Sequence, residues 1–356
     1  MAMSEPIDEL RSRIDALDAE LLKLLNQRAE LARQIGGLKN GNVYRPEREA
    51  QVLKRLKRLN GGPLPAEAVE RLFVEIISAC RALEEPITVA YLGPEGTFSE
   101  ESAIKRFGNA AAGAPCASID EVFRAVESRR AHYGVVPVEN STEGAVGRTL
   151  DLLLQTPLKV CGEIMLQVHQ ALLFNGESLT QVKRVYSHPQ SFAQCQQWLA
   201  ANLPQAERVA APSNGEAARL AAQESGAAAI ASRRAAGRFG LKVFAENIED
   251  DPRNTTRFLV IGPEDAGPSG TDKTSLVIST TNRPGAMRDL LEPFARRQID
   301  LTRLESRPSR TGLWEYVFYV DIKGHREDSP VAAALTEVRE KASLFKILGS
   351  YPCAKE

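Results

Sequence analysis

The chain has 356 residues, 43% apolar and 26% charged, with 45 Lys and Arg against 46 Asp and Glu for a net charge of −1. This is globular composition with length for roughly two or three domains, and its charge offers no field to draw nucleic acid or an acidic membrane surface. Five cysteines without a CxxC pair and four histidines never at i, i+4 disfavour a disulfide framework and a metal site, so a reduced, cytoplasmic protein with neither metal nor cofactor is expected.

The opening MAMSEPIDEL has no basic n-region and no apolar stretch, so no secretory signal is expected, and no run reaches the roughly 18 apolar residues of a spanning helix. Residues 6–85 read as three helices. In the first, Leu10, Ile14, Leu17, Leu21, Leu24, Leu31, Ile35 and Leu38 recur at steps of four and three, a coiled-coil-like seam. It ends at Asn40–Asn42. Pro46 opens a second helix, which stops at Asn60–Pro63, and a third runs from about Ala66 to Glu84. At ~1.5 Å per residue the first helix spans roughly 50 Å, more than its short neighbour covers. Its seam is expected to bury against a second copy in an intertwined helical dimer.

Arg28 interrupts that seam between Leu24 and Leu31, and a buried guanidinium needs an anion. Lys39, eleven residues on, falls near the same face, whereas Arg11 points about 100° away, toward a partner's site in a crossed dimer. Arg48 and Glu49 open the second helix and Glu84 ends the third. The pattern suits a pocket for a small dianion; the alternative is arginines snorkelling on a bundle surface. The strings LRSRIDALD (10–18), LLNQR (24–28), RPERE (45–49) and CRALE (80–84) resemble the all-helical chorismate mutase family. That resemblance implies a domain over 1–86 that rearranges chorismate to prephenate. Arg28 and the partner's Arg11 would clamp the two carboxylates, Lys39 would donate to the ether oxygen, Glu49 would hold the ring hydroxyl, and Arg48 would support the site. The family pattern often has aspartate, serine and glutamine where this chain has Arg45, Cys80 and Glu84. Glu84 donates to the ether oxygen only when protonated, so mutase activity is expected to fall as it ionises.

From Ile87 short apolar runs (87–92, 134–138, 184–186, 227–231) alternate with helical stretches (100–107, 119–130, 145–154, 191–202, 216–225), predicting an α/β sheet with parallel strands. The junctions Gly93–Ser99 (GPEGTFS), Glu139–Gly144 (ENSTEG), Ser187–Ser191 (SHPQS) and Ser213–Gly215 (SNG) are rich in small polar residues. Such strand ends and helix starts suit a carboxylate ligand; GxGxxG and Walker motifs are absent. GPEGTFS, VPVENS (136–141), SHPQ and NTTRF (254–258) together resemble prephenate dehydratase. The resemblance implies a domain over 87–262 of two lobes, similar to periplasmic binding proteins, one about 87–165 plus 247–262 and the other about 166–246. It implies expulsion of the ring hydroxyl and carbon dioxide from prephenate, with Thr256 aiding the leaving hydroxyl and Arg257 near a carboxylate. Thr97, Ser99, Asn140, Ser141, Thr142 and Ser187 would line the cleft with Arg45 and Cys80 counted among the mutase contacts.

After a turn-rich linker (263–273), residues 274–356 read as βαββαβ, hence a ferredoxin-like α+β fold. RPGAM (283–287) and ESRP (305–308) on that frame resemble the ACT regulatory domain. The resemblance implies L-phenylalanine as effector, bound by Arg283, Gly285, Ala286, Met287, Glu305, Ser306, Arg307 and Pro308. The order mutase, dehydratase, ACT implies a bifunctional enzyme of phenylalanine biosynthesis, dimeric or larger, acting on chorismate and prephenate. The alternatives are a dehydratase whose helical segment only dimerises, and an amino-acid-sensing binding protein without turnover.

Overall fold

The computed structural model describes residues 7–38, 44–281, 283–308 and 316–354. Three helices come first: α1 (Ile7–Leu38), α2 (Pro46–Leu59) and α3 (Ala66–Ala82). The C-terminal end of α1 packs on α3, where Gly36 comes so near Glu84 that an added Cβ would lie 2.9 Å from the Glu84 Cβ. No residue of α1 is buried, and Leu17, Leu24 and Leu31 are more than half exposed at 64%, 53% and 60%.

The next stretch builds lobe one: β1 (Thr88–Leu92), α4 (Phe98–Phe107), β2 (Ala112–Cys116), α5 (Ile119–Glu127), β3 (Tyr133–Asn140), β4 (Gly144–Ala145), α6 (Gly147–Gln155) and β5 (Lys159–Gln167). Lobe two follows with β6 (Ala171–Leu173), β7 (Arg184–Ser187), α7 (Pro189–Gln194), α8 (Gln196–Asn202), β8 (Glu207–Ala210), α9 (Asn214–Gln223), β9 (Ala227–Ala231), α10 (Arg233–Phe239) and β10 (Val243–Ala245). The chain then returns through β11 (Thr255–Gly262), which completes the first sheet in the order β2-β1-β3-β11-β5, with β4 on β3. The second sheet runs β10-β6-β9-β7-β8. In β9 all five residues (AAAIA) are buried, and the small side chains let α9 lie close on the sheet.

The expected parallel sheet is mixed. β1 pairs in parallel with β2 and β3, but β11 re-enters from the other lobe and runs antiparallel to both β3 and β5. The single helix expected over 191–202 is two, broken at Cys195; the Asp250 carboxylate accepts from the Gln197 and Trp198 amides and so caps the second.

The third domain is β12 (Asp272–Ser279), α11 (Ala286–Arg296), β13 (Leu301–Pro308), β14 (Tyr316–Lys323), α12 (Ser329–Lys341) and β15 (Leu344–Pro352), with sheet order β13-β14-β12-β15. One face carries α11 and α12 over Leu276, Ile278, Val320 and Ile322; the other packs on lobe one through Val277, Val317, Tyr319 and Tyr351. The approach is tight: a Cβ on Gly349 would stand 2.0 Å from the Val160 carbonyl oxygen. Lys346 Nζ donates to the carbonyls of Leu153, Leu154 and Thr156, whose orphaned oxygens end α6.

Candidate functional site

The two lobes enclose a cavity of about 1050 Å3 beyond the strand ends. Its walls include Thr97, Phe98 and Ser99 at the start of α4, Asn140 at the end of β3, Gln170, the α7 residues Gln190 and Ser191, Asn214 at the start of α9, and Thr256 on β11. Thr97 caps α4 by accepting from the Glu100 amide while its hydroxyl donates to the Leu92 carbonyl. Ser213 caps α9 in the same way. Two helix starts thus turn their amide ends toward one hollow, a favourable environment for negative charge. No lysine or arginine lines it among the described residues.

Asn140 is the best-fixed group there. Its Oδ1 accepts from the Thr142 amide at 3.0 Å, the Thr142 hydroxyl at 2.6 Å and the Glu143 amide at 3.2 Å. That sets the amide's orientation, and Nδ2 donates to Asn254 Oδ1 at 2.9 Å and to Thr256 Oγ1 at 2.8 Å. Because Thr256 Oγ1 accepts from Asn140, its own hydrogen remains for donation elsewhere.

Four expected residues stand apart from the cleft wall. Ser187 is fully buried beneath Asn214, with only long contacts of 3.5 Å to Asn214 Oδ1 and the Ile230 carbonyl. Ser141 and Thr142 brace their own loop: Ser141 Oγ accepts from the Thr255 amide, and Thr142 holds Asn140. Arg257 needs the clearest correction. Successive residues of a strand face opposite ways, so with Thr256 turned to the cleft Arg257 points behind the sheet. There it is buried and donates to Glu163 Oε2 at 2.8 Å, Asp321 Oδ2 at 2.6 Å and Tyr351 Oη at 3.0 Å. Asp321 and Tyr351 belong to the third domain. Burial alone would raise the Asp321 carboxyl, but the Arg257 charge and hydrogen bonds from Ser275 and Arg257 hold it below the ordinary carboxylate range.

Gln170, Gln190, Ser191 and Asn214 were not among the expected site residues. Ser191 Oγ accepts from Gln170 Nε2 at 3.0 Å and Asn214 Nδ2 at 2.8 Å, and Gln170 Oε1 is buried with no partner among the described residues. The SHPQS string signalled Gln190 and Ser191; nothing in the plain run around Gln170 signalled it. His188 lines the cavity and caps α7, its Nδ1 accepting from the Gln190 amide.

In the helical domain, Arg28 is half-buried in the α1 seam and Arg11 is exposed beside Asp8. Arg45 pairs with Glu47, Arg48 is exposed, and Cys80 is buried. Half-buried Glu49 pairs with buried Arg81, whose Nη2 also donates to the Phe107 carbonyl at 2.7 Å. Lys39 lies outside the described residues.

In the third domain, Gly285 has φ +78 at the start of α11, a backbone that favours glycine, with Ala286 buried and Met287 half-buried behind it. Arg283 donates to Asp289. Along β13, Ser306 pairs with Phe318 on the helix-covered face, and Pro308 shares that face. Glu305 and Arg307 pair with Tyr319 and Val317 on the opposite one. Arg307 therefore leaves the expected effector set: its guanidinium lies against Gly147 and reaches Asp151 at 3.4 Å.

Among the described residues no helix is long and apolar enough to cross a membrane, and no group of three or more His, Cys, Asp or Glu could hold a metal ion. Residues 10–85, 89–266 and 274–340 match the families described as chorismate mutase type II, prephenate dehydratase and ACT domain. A Neisseria gonorrhoeae protein called bifunctional chorismate mutase/prephenate dehydratase is 54% identical over 99% of this chain and 99% of its own. One of the same name from Pseudomonas aeruginosa is 48% identical over 99% and 100%. Of the solved structures, prephenate dehydratase from Arthrobacter aurescens in complex with L-Phe is 34% identical over 75% of this chain and 90% of its own, with a TM-score of 0.69. GqqA, described as a novel type of quorum quenching acylase, is 29% identical over 75% and 98%, with a TM-score of 0.70.

Proposed function

Given that this chain belongs to the family of bifunctional chorismate mutase/prephenate dehydratases, we propose which residues carry its two reactions and their control. The enzyme rearranges chorismate to prephenate and converts prephenate to phenylpyruvate, carbon dioxide and water. In the second step the ring carboxylate leaves as carbon dioxide, its electron pair enters the ring, and hydroxide is expelled from the opposite carbon. Hydroxide is a poor leaving group unless hydrogen bonds or a proton meet it as it departs.

Thr256 is the residue we assign to that oxygen. The observation that carries this assignment is the Asn140 amide on Thr256 Oγ1, which leaves the threonine O–H as donor into the cleft. Asn140 is its positioning residue. Thr97, Ser99, Gln190 and Asn214 line the substrate's surroundings. With no cation in the wall, the substrate carboxylates would rest on the helix starts and side-chain donors.

For the mutase, Arg28 and the partner's Arg11 would bind the carboxylates of chorismate, Lys39 and Glu84 would face the ether oxygen, and Glu49 would hold the hydroxyl. The reaction needs restraint of the diaxial conformer and stabilisation of charge on the breaking ether bond, and no covalent step. The exposed apolar seam of α1 supports a dimer in which each seam covers the other. L-phenylalanine is the feedback effector, held by Gly285, Ala286, Met287 and Ser306. The cytoplasm suits the five free thiols.

The test is direct: the purified chain, incubated with chorismate, forms phenylpyruvate, and added L-phenylalanine slows it. Accumulation of prephenate alone would remove the dehydratase assignment; an inert chain that still binds phenylalanine would favour a sensor.

A further inference from the structure

We propose that Arg81 is a positioning residue of the mutase reaction, holding Glu49 ready for the ring hydroxyl of chorismate and anchoring it to the dehydratase lobe. The inference rests on the reading that Glu49 binds that hydroxyl.

Arg81 stands in the last turn of α3 and is 5% exposed. Its Nη1 donates to Glu49 Oε1, and its Nη2 donates to the Phe107 carbonyl at the end of α4. A helix end carries unsatisfied carbonyls and partial negative charge, so it is a second anionic seat for the same cation. The guanidinium also lies over two rings, 5.4 Å from the centroid of Tyr44 and 5.8 Å from that of Phe107. Tyr44 is itself fixed, its hydroxyl accepting from Arg106 Nε at 2.6 Å. The planar fork can satisfy all these contacts in one orientation only, and that orientation sets where the Glu49 carboxylate lies.

Glu49 Oε1 is thus occupied while Oε2 accepts no bond among the described residues. One oxygen is anchored and the other is left for a donor. Three residues beyond Arg81, in the turn that ends α3, is Glu84, whose amide donates to the Arg81 carbonyl and against which α1 packs through Gly36. The guanidinium thus holds one assigned chorismate contact, stands three residues before another in the chain, and is seated on the other catalytic domain. A mutase site built this way borrows its rigidity from lobe one.

The experiment uses the full-length chain, assaying mutase turnover of chorismate and dehydratase turnover of added prephenate separately. Arg81→Met is expected to lower mutase kcat/KM by about 10²-fold, mostly through kcat, the scale on which a displaced group near the chemistry acts. Dehydratase turnover is expected to hold, and Arg81→Lys to recover part of the loss. Because Arg81 acts through Glu49, the pair Glu49→Gln/Arg81→Met loses no more than Glu49→Gln alone. Losses that multiply would mean a scaffold role only and overturn the inference. So would an Arg81→Met mutase equal to the parent while Glu49→Gln is inactive. A fully active Glu49→Gln instead removes the underlying reading of Glu49. Should Arg81→Met fail to fold, the same cycle run with Arg81→Lys decides.

Discussion

With Thr256 and Asn140 in the roles proposed for them, little chemistry would have to be carried by any one side chain of the cleft between the lobes. A threonine hydroxyl is a weak acid, but an aimed donor in a walled hollow lowers the barrier for a departing oxyanion by more than it would in water. Thr256→Ala is expected to reduce dehydratase kcat by about 10²–10³-fold, the usual cost of one such donor, with mutase turnover unchanged. Parallel assays on chorismate and prephenate check it. Thr97, Ser99, Asn140 and Thr256 were legible because strand-end and helix-start residues of that type have few other reasons to cluster. Arg257 was misread for a simple reason: adjacency in a strand separates two side chains by the thickness of the sheet. Gln170 was invisible because what places it is a contact with Ser191 from another segment.

At the level of elements, helices with a sustained apolar stripe were read almost to their ends, α1 and α12 among them. Strands were harder. β2 reads AGAPC, with no β-branched or large aromatic residue, and within the sheet it pairs with β1 alone among the described strands. Mixed direction in the first sheet could not be read from alternation, since it depends on where β11 returns after an entire lobe. β11 also carries a pH-dependent joint. The Asp321 carboxyl is depressed in the folded protein, so its contribution is present above the ordinary carboxylate range, near about 3.9, and disappears as acid titrates it through its lower folded value. Asp321→Asn leaves Arg257 half-paired and is expected to cost about 3–5 kcal/mol at neutral pH. It should also flatten the acid side of the stability curve, which melting temperature against pH would show.

Across the whole molecule, the three domains divide unequally between self-sufficient and dependent. Lobe two fills cores of its own and lobe one shares one with the third domain, whereas α1 shows its apolar seam to solvent in a single chain. Leu24→Glu, placed in that seam, is expected to dissociate the proposed dimer and abolish mutase turnover, since the Arg11 assigned to a partner's site could then serve none. Dehydratase turnover should survive. Sedimentation and the two assays, run on one sample, test the link. The domain order was legible from end to end in the wording of the loops. How the domains touch was not, because a seam such as Arg81 on the Phe107 carbonyl joins positions that no local pattern relates.

Where Gly349 meets Val160, two backbones touch with no side chain between them. Such a joint has no slack. A twist of the effector domain cannot be absorbed by a rotamer there, so β5 must travel with it. β5 in turn is laddered to β11 from Thr255 to Gly262. A small rotation far from the substrate would then arrive at the threonine hydroxyl as a displacement of the strand that bears it.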